Sequence, residues 1–310
     1  MMKDLKEILK SEYPIIQGGM ANIATHKLAS AVSNAGGFGL IGAGGWDVDR
    51  VRDEIRKTRE LTDKPFGVNI MLMSPHAEAI SDMVIEEGVE VITTGAGNPG
   101  VYMEKWHKAG IKVIPVVPSV ALAKRMERSG ADALIVEGTE AGGHIGELTT
   151  FTLVPQVCDA VNIPVIAAGG IADSRGFDAA VMLGASGVQI GTVLLASKEC
   201  PVHENYKQRI VKAKDTDSVV TGRGTGAPVR VLKNKMSRKY IQLQQEKNVP
   251  LEEMEKLTLG SLRKAVFDGD MDFGSIMAGQ SAGLVKEIRS VEEILKDIYL
   301  NSRTVKEKLL

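Results

Sequence analysis

Eight short runs rich in Val, Ile and Leu recur along the chain, each followed by a stretch with helical spacing. They fall at residues 14–16, 38–41, 66–71, 89–93, 112–116, 133–136, 164–168 and 187–190. The runs are apolar throughout rather than alternating, the pattern of strands covered on both faces in a parallel sheet. Between them, residues 48–61, 77–87 and 121–128 carry charges on one side and apolar residues at helical intervals. A repeat of about 20–30 residues suits successive strand–helix units. Eight such units predict an α/β fold, a closed (β/α)8 TIM barrel; an open doubly wound sheet is the alternative.

The character changes after Ala196, where charge increases and Arg223, Arg230, Lys233, Lys235, Arg238 and Lys239 cluster. Helical patterns at 235–246 and 251–265 follow the turn-forming stretch Gly222-Arg223-Gly224-Thr225-Gly226-Ala227-Pro228. The expected organisation is a barrel over residues 1–200 and a small, mainly helical lid lobe over 201–270. A C-terminal loop and helix over 271–310 then return to the barrel. The basic cluster is expected to be mostly a solvated face, with Arg230 and Lys233 as candidates to meet a phosphorylated substrate or an acidic carrier protein.

A net charge of -1 gives no electrostatic reason for a nucleic-acid or membrane-surface partner. No apolar run is long enough to span a bilayer. Residues 1–12, with Lys3, Asp4, Lys6, Glu7 and Lys10, lack the pattern of a signal peptide. Two cysteines, Cys158 and Cys200, suggest neither a disulfide framework nor a thiolate metal site. A cytoplasmic protein is the expectation.

Barrel enzymes gather their chemistry at the C-terminal ends of the strands. Three glycine signals close strand-like runs: Gly138 to Gly146 around His144, Ala168-Gly169-Gly170, and Gln189-Ile190-Gly191-Thr192. The last two end the seventh and eighth runs, where barrels commonly hold a phosphate on backbone N–H groups. Gly169, Gly170, Gly191 and Thr192 are therefore candidate phosphate ligands; the other reading is that the glycines only shape tight turns. Asn69, Glu137 and Gln189 are polar residues within or ending apolar runs. Each either meets a ligand or is satisfied by neighbouring protein groups. His144 differs from His26, His76, His107 and His203, which lie in polar contexts and are expected to be solvated. An imidazole on a glycine-rich loop can stabilise developing negative charge, or simply be a surface histidine. The GxGxxG match at Gly95-Ala96-Gly97-Asn98-Pro99-Gly100 lacks the acidic residue of a dinucleotide site about 20 residues on, and is read as a loop facing substrate or cofactor.

Taken together, Ile15-Ile16-Gln17-Gly18-Gly19-Met20, Gly67-Val68-Asn69, Glu140-Ala141-Gly142-Gly143-His144-Ile145-Gly146, Ala167-Ala168-Gly169-Gly170-Ile171 and Gln189-Ile190-Gly191-Thr192 resemble the nitronate monooxygenase/enoyl-acyl-carrier-protein reductase II family. The likeness runs through nearly the whole chain. The stretch 222–230 and Met277-Ala278-Gly279-Gln280-Ser281 resemble its flavin-dependent enoyl-ACP reductase branch. The resemblance implies bound FMN, its phosphate on the turn formed by Ala168, Gly169 and Gly170 and on Gly191 and Thr192. It places Gly19 and Met20 along the flavin ring and Asn69, Glu137 and Gln189 on its polar parts or ribityl chain. Met277 would close the pocket and His144 would be the active-site imidazole. NADH or NADPH as co-substrate, a monovalent cation, enoyl chains on acyl carrier protein, and a homodimer complete what the family implies. Competing expectations are a nitronate monooxygenase using O2, a non-catalytic flavin- or phosphate-binding barrel, and a sugar-phosphate isomerase or lyase.

Overall fold

The computed structural model describes residues 5–246 and 251–309; Lys3 and Asp4 lie outside them. Eight parallel strands form the barrel wall: β1 (Ile15–Gln17), β2 (Gly39–Gly42), β3 (Phe66–Met71), β4 (Val91–Gly95), β5 (Lys112–Val117), β6 (Leu134–Glu137), then β8 (Val165–Ala168) and β9 (Gly187–Ile190). The order β1-β9-β8-β6-β5-β4-β3-β2 runs round the wall, and a parallel bridge between Ile16 and Phe38 closes it. The TIM barrel is thus observed, its strands within a few residues of the apolar runs.

Strand alternation divides the side chains into two cores. Ile16, Phe38, Leu40, Val91, Ile114, Ile135 and Ile166 fill the interior, and Leu5 and Leu9 of the short helix Leu5–Leu9 join that cluster. Ile15, Ile41, Val68, Ile70, Val136, Val188 and Ile190 face the other way, into the layer shared with the helices. The helices are built to supply that layer. In Val48–Leu61, Asp47 caps the N-terminus by accepting from the Arg50 N–H, and Val51 and Ile55 are buried.

The region after β9 is mainly helical, as expected, but it also holds two strands that the sequence reading did not assign. β10 (Ser218–Thr221) and β11 (Val229–Leu232) form an antiparallel hairpin around the 222–228 turn, and β11 also pairs with β7 (Gly143–His144). Short β-branched runs flanking a glycine turn are a hairpin signal that charge content obscured. Helices Lys235–Gln245 and Leu251–Thr258 follow. The helix Val291–Leu300 returns to the barrel and packs on Ser174–Met182 and His26–Asn34, so it completes the helical ring. No helix among the described residues is long and apolar enough to cross a membrane.

Candidate active site

Continuing the inward alternation to the strand ends reaches a different chemistry. Gly67 abuts Phe38 and Leu40, so Asn69 on the same strand faces inward. Thr93 follows Val91, Glu137 follows Ile135, and Gln189 follows Gly187, which abuts Leu5. An apolar interior is therefore topped by a polar layer of Asn69, Thr93, Glu137 and Gln189 at the C-terminal mouth. Asn69 Nδ2 donates to Thr93 Oγ1 at 2.8 Å. Gly19 lies directly against Asn69: a Cβ there would come 2.3 Å from Asn69 Cγ. Gln189 is buried, and its amide carbon lies 3.9 Å from where a Cβ of Gly18 would sit. The Glu137 carboxyl has no hydrogen-bond or ion-pair partner among the described residues. Burial pushes it up to about 7. It retains accessible surface while enclosed by protein, as a side chain lining a recess does.

The two glycine turns stand side by side because Ala168 is in register with Gln189. Gly169 and Gly170 adopt φ of +97° and +78°. Among the described residues, the backbone N–H groups of Gly169, Gly170 and Thr192 have no backbone acceptor. Unpaired main-chain donors at adjoining strand ends suit an anionic ligand. The Met20 sulfur lies 3.6 Å from where a Cβ of Gly191 would sit, so Met20 reaches this side of the mouth. Thr192 has a further contact: its buried hydroxyl oxygen accepts from the Gly279 N–H at 2.9 Å, tying the far loop to the eighth strand and leaving its O–H to donate.

That far loop carries Met277, whose carbonyl accepts from Tyr206 OH at 2.8 Å and whose sulfur approaches Gly143. The loop crosses the His144 loop at backbone contact. A Cβ on Gly142 would meet the Ala278 carbonyl carbon at 2.6 Å, and one on Gly279 would meet the Glu140 carbonyl oxygen at 2.5 Å. Only glycine permits this crossing. The Glu140 carboxylate accepts from the Thr150 N–H at 2.9 Å and from its hydroxyl at 2.9 Å, pinning the loop to the start of the helix Thr150–Ala160. β11 holds the same loop from the other side, with Val229 opposite His144 and Arg230 opposite Gly143.

His144 is exposed, and among the described residues its ring nitrogens have no partner. Buried Gly143 precedes it, so the strand turns the imidazole away from the packed side and leaves it open to an incoming molecule. The other histidines differ in part from expectation. His26 is bound to buried Glu54 at 2.6 Å, and His203 accepts from the Asn205 N–H. Arg230 is not solvated: it is 6 % exposed, donating to the Thr139 carbonyl and to Ser218 Oγ. Burial, then the nearby Arg223 charge, lowers its pKa. It is a clamp on the His144 loop. Lys233 remains exposed, while Lys235 pairs with Asp272 at 2.7 Å. The glycine stretch after β4 forms a loop capped by Asn98, which accepts from the Gly100 N–H. Cys200 is buried, its thiol pushed up to about 12 mainly by that burial, so it is not a nucleophile.

Sequence reasoning missed Thr93, Glu140 and Thr150. Thr93 was accessible in principle, because it lies two residues beyond inward Val91 at a strand end. The Glu140–Thr150 contact joins a loop to a helix start and has no local signature.

The barrel has glycine turns and a polar layer at its mouth, overhung by a loop with an open imidazole, and the proteins it matches make it a flavin-dependent oxidoreductase. The nitronate monooxygenase profile matches residues 2–301, and the chain belongs to that family. A probable nitronate monooxygenase of Staphylococcus saprophyticus is 36% identical, over 93% of this chain and 95% of its own. Among solved structures, FabK from Thermotoga maritima superposes with a TM-score of 0.95 at 51% identity, covering 100% of this chain and 98% of its own. A nitroalkane oxidase from Streptomyces ansochromogenes superposes with a TM-score of 0.86 at 25% identity, with 99% of both chains covered.

Proposed function

We propose that this chain is an FMN-dependent enoyl-acyl-carrier-protein reductase that reduces trans-2-enoyl thioesters to acyl thioesters with NADH or NADPH. The observation that carries this reading is the 51% identity to FabK, the enoyl-ACP reductase II, across the entire chain. The residues present fit FMN. Free N–H groups at Gly169, Gly170 and Thr192, with Gly191 beside them, suit a phosphate. The layer of Asn69, Glu137 and Gln189 suits the polar middle of the molecule. Gly19, Met20 and Met277 leave a flat, adaptable rim for a ring.

FMN, when bound, supplies the hydride chemistry. The protein's part is orientation and charge. His144 donates a hydrogen bond to the thioester oxygen of the substrate, where negative charge builds as the β-carbon is reduced. Protonation of the α-carbon completes the product. Residues 201–270 act as the lid that meets the carrier arm. A monovalent cation and a homodimer belong to the same reading.

The test is direct. The purified protein should be yellow, absorbing near about 450 nm as flavins do, and should oxidise NADH or NADPH only when crotonyl thioester is added. Rapid oxygen uptake with an alkyl nitronate, without NAD(P)H oxidation, would instead favour the activity carried in the name of the Staphylococcus relative. A colourless protein without either activity would leave a barrel that binds without turnover.

Exposed Lys233, Arg238 and Lys239 suit an acidic carrier protein. Reversing Lys233 and Lys239 to Glu should raise the KM for enoyl-ACP about tenfold and leave crotonyl-CoA unaffected, because charge at a rim steers a macromolecule more than a small substrate. Equal kinetics on enoyl-ACP would remove this surface from the docking site.

A further inference from the structure

Glu137 is the only carboxylate on the eight barrel strands; the one other ionisable side chain, Lys112, is exposed at the opposite end. It projects inward at the mouth, in register with Ala168 and so one residue short of the Gly169–Gly170 turn. Among the described residues, nothing donates to it. Glu140, the next carboxylate along the chain, is held by Thr150, and Arg230 of β11 donates to Thr139 and Ser218 and forms no ion pair with Glu137. β5 and β8 bring no ionisable group to that end. His144 of the overlying loop is exposed. The charges of the packed helices Val120–Arg128 and Thr150–Ala160 lie outside the barrel wall. An unpaired carboxylate in such a place is costly, and the side chain escapes that cost by holding a proton.

We propose that Glu137 couples FMN binding to proton uptake, holding the polar middle of the flavin only as a neutral, hydrogen-bond-donating carboxyl. This deepens the flavin reading and rests on it. The phosphate and carbonyl oxygens of FMN only accept, and the ribityl hydroxyls accept as well as donate, so a protonated carboxyl can donate to all of them, whereas a carboxylate could meet the hydroxyls alone and would face the like charge of the phosphate. With the free carboxyl titrating near neutrality, the competent form predominates at lower pH. Affinity is then constant below the midpoint and falls as pH rises through it, by up to tenfold per unit in the limit where only the neutral form binds.

The experiment dilutes the holoenzyme into buffers from about pH 6 to about pH 9 and reads FMN release by flavin fluorescence. Wild type and Glu137→Gln are compared at each pH, so titration of the FMN phosphate cancels. Glutamine is nearly isosteric and keeps a donor at every pH. The expected result is a ratio of wild-type to variant Kd that rises up to about a hundredfold across this range. A pH-independent ratio overturns the proposal. A second measurement needs no variant: calorimetric FMN titration of wild type in two buffers of different ionisation enthalpy, slightly above neutrality. Net proton uptake beyond the phosphate contribution supports the coupling, and none overturns it. Wild type that holds no FMN at any pH defeats the flavin reading itself, a result distinct from tight binding with a flat ratio.

Discussion

Replacing His144 with alanine is expected to lower enoyl thioester reduction by about 10²–10³ while FMN remains bound, the usual cost of losing one donor at developing charge. The structure gives this prediction its shape. His144 is exposed, and its ring nitrogens are unengaged among the described residues, so no buried contact is lost and folding should be unchanged. Its backbone is held on both flanks, through pairing with β11 and through the Glu140–Thr150 anchor. The loss should appear in kcat for the enoyl thioester, and oxidation of NAD(P)H by an artificial electron acceptor should persist. Glutamine at 144 should recover part of the rate, because it restores a donor without restoring an acid. Purified His144→Ala that reduces crotonyl thioester at the parental rate would remove the imidazole from the chemistry.

Gly169→Ala is expected to abolish most FMN retention. At φ +97° an alanine is strained by about 1–3 kcal/mol. Its Cβ would also stand 2.9 Å from the Gly138 carbonyl oxygen and 3.0 Å from Thr150 Oγ1. Both neighbours belong to the anchor of the His144 loop, so relief of the clash must move either the turn or that anchor. Flavin content of the purified variant should fall at least about tenfold, from displaced N–H donors as well as strain. Gly110→Ala is the control. It has a comparable φ of +80°, but nothing lies within 4 Å of the added carbon. It should lose some thermal stability and keep its flavin. Equal flavin content in Gly169→Ala and wild type would mean that the turn at the end of β8 does not hold the phosphate.

The barrel was legible because both faces of its strands are buried, which leaves uninterrupted Val/Ile/Leu runs that no helix or half-exposed strand would need. The site was legible in parts. Asn69, Glu137 and Gln189 stand out because each interrupts or ends an apolar run, and the strand alternation places all three in one layer. The lobe was less legible. β10 and β11 each span four residues, and Arg230 looks like a surface charge in a basic cluster until its partners, Thr139 and Ser218, are brought together by folding. Thr192 was assigned to the phosphate by position. Its hydroxyl oxygen also accepts from Gly279, 87 residues away along the chain, a contact no local pattern encodes.

Ser197 bridges Arg289, the Lys198 N–H donates to the Arg289 carbonyl, and the Arg289 N–H donates to the carbonyl of Ala196. The chain between these residues leaves the wall and rejoins it here, and it touches the mouth again where β11 pairs with Gly143–His144 and where the Gly279 N–H meets Thr192 Oγ1. Such an excursion is tied to the barrel at its root and at the loop it overhangs, so exchanging it would also take from the imidazole loop one of its two supports. The staves pair with one another in a sheet of their own, so what a replacement would reset is the cover over the opening rather than the frame beneath it.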